Sequence, residues 1–299
     1  MRKAKNTIPV VDICSLGSTN QVNSEVIAEP FAKYLEAHPN LHLPHRHSFY
    51  HLVLFTKGRG SHSIDFQQFE VIPREIYFMK PGQVHRWDFE GETDGYVINF
   101  SEHLFDHFLI NGHYLEQFPF LQGIAEDNVV HLDAQTYDSV KIIFEKITEE
   151  MHYPGVQTSD LVRLLLLELF IIVNRRMAKN VAGVSQPTNS LLLYQFRKLV
   201  DIHYAEKRLP KAYAAMLYIT PNHLNTLCKD LLGRSAGEII RDRILLEAKR
   251  LLINAGISIS EIASALDFTD NSHLTRFFKK HTNLTPDEFR KNASVTRKK

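Results

Sequence analysis

The 299-residue sequence is poor in cysteine, holds a single tryptophan and has a formal net charge of only +1. Its two cysteines, Cys14 and Cys228, lie far apart and match no ligand spacing. That excludes a disulfide framework and a cysteine-based zinc site, and it fits a reducing compartment. Long apolar runs are missing too. The most apolar segment, LVRLLLLELFIIVNRRM at 161–177, carries Arg163 and Glu168 and falls short of the roughly 20 uninterrupted residues that a bilayer needs. It reads as a buried helix. The opening, MRKAKNTIPVVDICSLG, is basic but has no apolar core followed by a small-residue cleavage site, so no secretory signal is expected. The expectation is a cytoplasmic protein with no membrane partner.

What is present is the composition of a globular protein, 44% hydrophobic and 23% charged, at a length suited to two domains. The near-zero net charge hides an asymmetry. Residues 191–299 hold 19 Lys and Arg against 11 Asp and Glu, or +8, which leaves −7 for residues 1–190. A basic C-terminal third points to a polyanion-binding module, the alternative being chance segregation on solvated faces.

From about 45 to 100 the sequence is short apolar or aromatic runs cut by turn residues: SFYHLVLF, SHSIDFQQFEV, REIYFM, VHRWDF and YVINF. So many short strands in succession suggest a sandwich or small barrel. From about 134 the period becomes helical. AQTYDSVKIIFEKITEEM puts Tyr137, Val140, Ile143, Phe144 and Ile147 on one stripe, and the 159–177 segment is apolar nearly all round. Residues 179–190 are small, polar and proline-containing and read as a linker. The expected organisation is a domain at 1–178, a linker at 179–190 and a second domain at 191–299.

The second domain contains a duplication. YAAMLYITPNHLNTLCKDLLGRSAGEII at 213–240 aligns with IASALDFTDNSHLTRFFKKHTNLTPDEFR at 262–290, with one extra residue in the second copy. Leu217 matches Leu266, Thr220 matches Thr269, and His223-Leu224 matches His273-Leu274. A period of about 50 residues occurring twice describes a repeated supersecondary unit rather than a solenoid. Each copy reads as helix, short turn, helix, the spacing of a helix-turn-helix. Thr220 and Thr269 take the cap positions of the second helices, and Ser235 with Glu238, Ser258 with Glu261 and Thr285 with Glu288 have capping-box spacing. Between the copies, about 16 helical residues make a rod of roughly 24 Å. Two reading helices on such a rod can enter major-groove segments about 34 Å apart, with DNA bending to bridge the difference.

On each second helix the apolar positions turn inward: Leu224, Leu227 and Cys228, then Leu274, Phe277 and Phe278. Outward lie Asn222, Asn225, Thr226 and Lys229 in one copy, and Ser272, Thr275, Arg276, Lys279 and Lys280 in the other. Such side chains hydrogen-bond base edges or phosphates. The alternative, a helical protein-interaction module with polar outer faces, is opposed by the basic charge, the duplication and the turn spacing together.

Over about 191–292 the motifs HLNTLCK, RILLEAKRLL, ISISEIASALDF and NSHLTRFFKKHTNLTPDEFR resemble the DNA-binding domain of the AraC/XylS family of transcription regulators. By that resemblance the base-reading places fall on Asn222, Asn225, Thr226, Ser272, Thr275 and Arg276. Two departures stand out. Asp267 occupies the place of the family's usual glycine before the phenylalanine of the second turn, and Thr226 stands where an arginine is common. Asp267 is thus expected to adopt a left-handed backbone.

The resemblance also bears on HLPHRHSFYHLVLF at 42–55. Strand alternation puts His45, His47, Phe49, His51 and Val53 on one face, and PGQVH adds His85. Residues 41–100 resemble a cupin barrel, with His51 in the place of the usual glutamate, Glu75 where the second motif has glycine and Phe89 where it has asparagine. Three readings of the histidines stay open: a metal cluster of His45, His47, His51 and His85, which zinc, nickel, iron or copper would accept; ordinary packing; or an effector pocket lined by His45, His47, His51, Tyr77, His85 and Trp87. The resemblance implies the pocket, with no metal, no cofactor and no catalysis.

The expected fold is α+β: a cupin-like barrel with flanking helices, then an all-helical domain of two helix-turn-helix units joined by a linker helix. The expected function is a sequence-specific transcription regulator that binds double-stranded DNA under the control of a small-molecule effector. By resemblance it is an activator that contacts RNA polymerase and pairs into a homodimer through the helices at 134–177; a helical layer packed only on its own barrel is the alternative. The competing function is a metal-dependent cupin enzyme, a dioxygenase or isomerase, with a helical appendage.

Overall fold

The structure is a computed structural model that describes residues 8–16, 25–111, 114–180, 187–254 and 256–296. Two compact units divide the chain, one built on Pro9–Ala182 and one on the residues from Gly183 onward.

The N-terminal unit runs β1 (Val10–Val11), α1 (Ile13–Leu16), β2 (Val26–Pro30), α2 (Phe31–Ala37), β3 (His45–His47), β4 (Phe49–Lys57), β5 (Gly60–Ile64), β6 (Gln67–Glu70), β7 (Glu75–Met79), β8 (Val84–Phe89), β9 (Asp94–Ser101) and β10 (Val129–His131). Two long helices follow, α3 (Ala134–His152) and α4 (Thr158–Asn180). The strands form two five-stranded sheets, ordered β1-β3-β8-β5-β6 and β10-β7-β4-β9-β2. Strand β4 is central to the second sheet and buried on both faces, and its alternation sorts the two cores. Val53 and Phe55 join Tyr77, Trp87 and Ile64 between the sheets. Leu52 and Leu54 join Phe78, Phe100, Phe144, Leu166 and Phe170 under the helices. Of the helical stripe expected on α3, Val140, Ile143, Phe144 and Ile147 are buried and Tyr137 is half-buried.

One run departs from its simplest reading. The 61–71 segment is a hairpin, β5 and β6 joined through Asp65 and Phe66, both at positive φ (46° and 73°). No Asn-Gly or Asp-Gly pair announces this turn. The Asp65 carboxylate holds it, accepting from the Val84 N–H and the Gln83 amide at 3.2 and 2.9 Å.

Of the expected linker at 179–190, residues 181–186 lie outside the described residues. Helix continues into both of its ends, because Asn180 closes α4 and Pro187 opens α5 (Pro187–His203). Proline is pre-organised for a first helical position, so it starts this helix rather than breaking one.

The C-terminal unit continues with α6 (Pro210–Met216), α7 (Pro221–Leu232), α8 (Ala236–Leu252), α9 (Ile259–Ala265), α10 (Asn271–Thr282) and α11 (Pro286–Thr296). Helix α8 is the connecting rod: 17 residues, about 25 Å at 1.5 Å per residue. Its first half sends Ile240 and Ile244 into a core shared with α5, α6 and α7. Its second half sends Ala248 and Leu252 into a core shared with α9 and α10. Among the described residues, no helix is long and apolar enough to cross a membrane.

Candidate nucleic-acid interface and candidate ligand site

The two halves of the C-terminal unit repeat one local design. Helices α7 and α10 are both twelve residues long. The turn before each contains a non-glycine residue in the left-handed region, Tyr218 at φ 56° and Asp267 at φ 53°. Each helix ends on a left-handed cap, Gly233 in one and Asn283 in the other. Thr220 caps α7, its hydroxyl accepting from the His223 N–H at 3.1 Å. The equivalent cap expected at Thr269 falls one residue later. Asp270 accepts from the His273 N–H at 2.8 Å, because the extra residue of the second copy sits in this turn and a carboxylate is the stronger acceptor for an orphan N–H. The three capping boxes form as their spacing predicts.

Capping and core packing fix which face of each reading helix turns outward. Leu224, Leu227 and Cys228 are buried in the first, Leu274 and Phe278 in the second, with Phe277 partly buried. Asn222, Thr226 and Lys229 are exposed on α7; Ser272, Arg276, Lys279 and Lys280 are exposed on α10. Asn225 and Thr275 share the half-buried flank. The Asn225 side-chain oxygen accepts from the Ala236 N–H at 3.1 Å and so helps to close the start of α8, a structural use that its polarity alone does not reveal. His223 and His273, used in the sequence only to align the repeats, are exposed at equivalent first-turn positions. The duplication itself is the signal that marks them.

In the N-terminal unit the histidines converge. His45, His47, His51 and His85 are all buried, on β3, β4 and β8, with His45 paired opposite His85 across β3 and β8. One nitrogen from each of His45, His47 and His85 falls within 4.8 Å of the others, and the Nε2 atoms of His47 and His85 are 3.4 Å apart. The His51 ring lies 4.7 Å from that of His47. A fifth imidazole was not among the expected residues. His62 on β5 meets His85 Nδ1 through its Nε2 at 3.1 Å and stacks on Trp87 at 3.3 Å. Its signal was the alternation of SHSI, which turns His62 and Ile64 to one face.

Burial governs the charge of these rings. It lowers the His45 pKa to about 4 and that of His51 to about 3, the latter partly offset by the hydrogen bond to Asn99. Burial and then the neighbouring imidazoles hold His47 and His85 well below the ordinary value, and burial does the same for His62. The cluster is neutral at pH 7, with its lone pairs available.

Two outer nitrogens are already committed. His45 Nδ1 donates to the Leu43 carbonyl at 2.7 Å, and His51 Nδ1 donates to Asn99 Oδ1 at 2.5 Å. The Nε2 atoms of both rings are buried with no partner. This donor set fits a metal ion: nitrogen ligands only, two of them with the outer nitrogen oriented by an oxygen acceptor. The other two expected lining residues are part of the packed aromatic interior. Tyr77 spends its hydroxyl on Glu75 and the Glu70 carbonyl, at 2.8 and 2.9 Å. Trp87 packs edge-on to Phe31 and Phe55.

A ligand-binding barrel and a paired helix-turn-helix unit define a transcription regulator of two parts. Comparison with known proteins agrees: the model of the AraC-like ligand binding domain matches residues 33–170, and a helix-turn-helix domain model matches residues 213–292. The chain belongs to the AraC/XylS family of transcription regulators. Relatives resemble it in different degrees. The probable transcription factor PqrA of Proteus vulgaris is 42% identical over 73 residues, 24% of this chain and 60% of that protein. The arabinose operon regulatory protein of Salmonella typhimurium is 24% identical over 81% of this chain and 83% of its own length. The transcriptional activator RhaR of Cronobacter sakazakii is 20% identical over 84% of this chain and 87% of its own.

Proposed function

We propose that the protein activates transcription in response to a small-molecule effector bound in its barrel, and that it does so without catalysis. The observation that carries this reading is the duplicated design of the C-terminal unit. Two capped twelve-residue helices, each with a polar and basic outer face, share one rod. Asn222, Asn225 and Thr226 on α7, and Ser272, Thr275 and Arg276 on α10, are the base-reading side chains; Lys229, Lys279 and Lys280 hold phosphates. His45, His47, His51 and His85 receive the effector, with Tyr77 and Trp87 as the aromatic wall.

The protein works as a cytoplasmic homodimer that contacts RNA polymerase. Pairing is supported by α4, which buries Val162, Leu166, Leu169 and Phe170 against the barrel while Leu161 and Leu164 stay exposed. Effector binding favours one arrangement of the subunits and so selects which half-sites are occupied together, a population shift rather than a new contact with DNA. The relatives named as regulators and an activator support the reading, as do the domain matches.

Selection of bound fragments from genomic DNA by the full-length protein tests it. Recurrent fragments bound with an affinity that falls steeply with salt, near −0.9 in the log–log slope per neutralised phosphate, are the expected result. A flat salt response, or no enrichment, overturns it.

A further inference from the structure

The geometry points to a late first-row divalent metal ion, held by His45, His47 and His85 with His51 as the fourth ligand, as the group through which this cluster receives the effector. The inference deepens the reading of the barrel as the ligand-binding half of a regulator and rests on it.

A carbonyl oxygen only accepts, so the bond to Leu43 fixes the His45 proton on Nδ1 and leaves Nε2 as a bare lone pair. The bond to Asn99 Oδ1 does the same for His51. Both Nε2 atoms are buried and without a partner. Buried acceptors normally find a donor, and the neighbours of these two are further imidazoles whose lone pairs compete for the same few protons. A cation satisfies all of them at once.

Distances agree. Two nitrogens bound at about 2.0–2.1 Å to a tetrahedral ion lie about 3.3–3.4 Å apart, and His47 Nε2 is 3.4 Å from His85 Nε2. Three of the four rings have an outer partner, Leu43 O behind His45, Asn99 behind His51 and His62 behind His85, while His47 Nδ1 is buried without one. Such partners fix ring orientation and tautomer.

The ion belongs at the histidine side of the interior. Phe31, Phe55, Tyr77 and Trp87 fill the apolar side of the interior, with ring centres 5.4–5.9 Å apart. Phe49 stacks on His47 at 4.4 Å. The ligand set also selects the ion. Imidazole nitrogens with no carboxylate suit zinc, copper, nickel or cobalt and not magnesium or calcium.

Titration of the chelator-treated full-length protein with cobalt(II) tests the inference, and Trp87, the only tryptophan in the chain, is the built-in reporter because its ring stacks on His62. Quenching that saturates at one ion per chain is expected, with visible absorption of a four-coordinate nitrogen site and reversal by zinc(II). His47→Ala and His85→Ala should each weaken binding at least 100-fold, His62→Gln 10- to 100-fold, and His131→Ala on the exposed end of β10 not at all. Should the ligand variants fail to fold, X-ray absorption at the cobalt edge of the unsubstituted protein decides, with three or four imidazoles expected. Substoichiometric uptake by folded protein, mainly oxygen ligation, or ligand variants that bind as tightly as the parent would overturn the inference. None of these readouts involves DNA, so their failure leaves the regulator reading standing, and failed fragment selection leaves the metal site standing.

Discussion

The guanidinium of Arg208 lies 3.9 Å from the centre of the Phe268 ring and donates to the carbonyl oxygens of Leu266 and Asp267 at 2.5 and 2.8 Å. Arg208 lies two residues before α6 of the first helix-turn-helix, and Phe268 sits in the turn of the second. One side chain therefore ties the first unit to the turn that aims the second reading helix. A planar, always charged fork can lie on the ring while its N–H groups reach two adjacent carbonyls; a compact ammonium lacks that flat, pre-organised geometry.

Arg208→Met keeps much of the apolar stem but loses both hydrogen bonds and the charge. A charged donor of this kind contributes on the order of 1–3 kcal/mol, so denaturant unfolding should show a loss of that size. Arg208→Lys should recover less than half of it. Affinity for DNA carrying both recognition segments should fall more than affinity for a single segment, as competition binding can establish.

Arg276 is exposed on α10, while the matching position on α7 holds Thr226. A bidentate arginine–guanine contact discriminates by about 1–3 kcal/mol. Arg276→Ala is expected to relax one base position by roughly tenfold or more, and Thr226→Ala by less, across a set of single-base operator variants. Lys280→Ala should weaken all sequences alike and reduce the salt slope by about one.

Tyr218 holds φ 56° and the residue is 96% exposed, so glycine there relieves backbone strain at no loss of burial. Tyr218→Gly is expected to stabilise the chain by about 0.5–1 kcal/mol after glycine's own entropic cost. Asp267→Gly should gain less, since aspartate tolerates this region better. Midpoints of urea unfolding at constant slope are the check.

The Asp270 carboxyl is held below its ordinary value of 3.8, first by the His273 backbone N–H. Its folded-state pKa is depressed, so the unfolded chain takes up the proton first as the pH falls. The cap is complete above pH 3.8 and is lost as the pH drops through the folded value. The His273 amide resonance, followed from about pH 5 downward, should shift with this loss, and Asp270→Asn, which caps without titrating, should flatten the curve.

Much of the fold was legible because it is periodic. The α3 stripe, the capping boxes and the repeated helix pair follow from spacings that local physics enforces. Turn geometry was less so. The hairpin at Asp65-Phe66 lacks the usual turn residues and is held by Gln83 and Val84 from a distant part of the chain. The cap moved from Thr269 to Asp270 because two adjacent acceptors stood in a turn lengthened by one residue, and the carboxylate is the stronger of them. In the barrel, alternation placed His45, His47 and His51 on one face but could not show that His62 from β5 would reach His85, because cross-strand register is a tertiary property. Asn225 was legible as polar and outward, not as the group that closes α8.

Hydroxyl-radical footprinting of the full-length protein on a fragment selected from genomic DNA tests the central claim most directly. Within each half-site two protected segments on one face of the duplex, about one helical turn apart, are predicted, with the Arg276→Ala footprint fading in only one of them. A single protected segment per half-site, or protection unchanged by substitutions on α7 and α10 alike, would contradict the account.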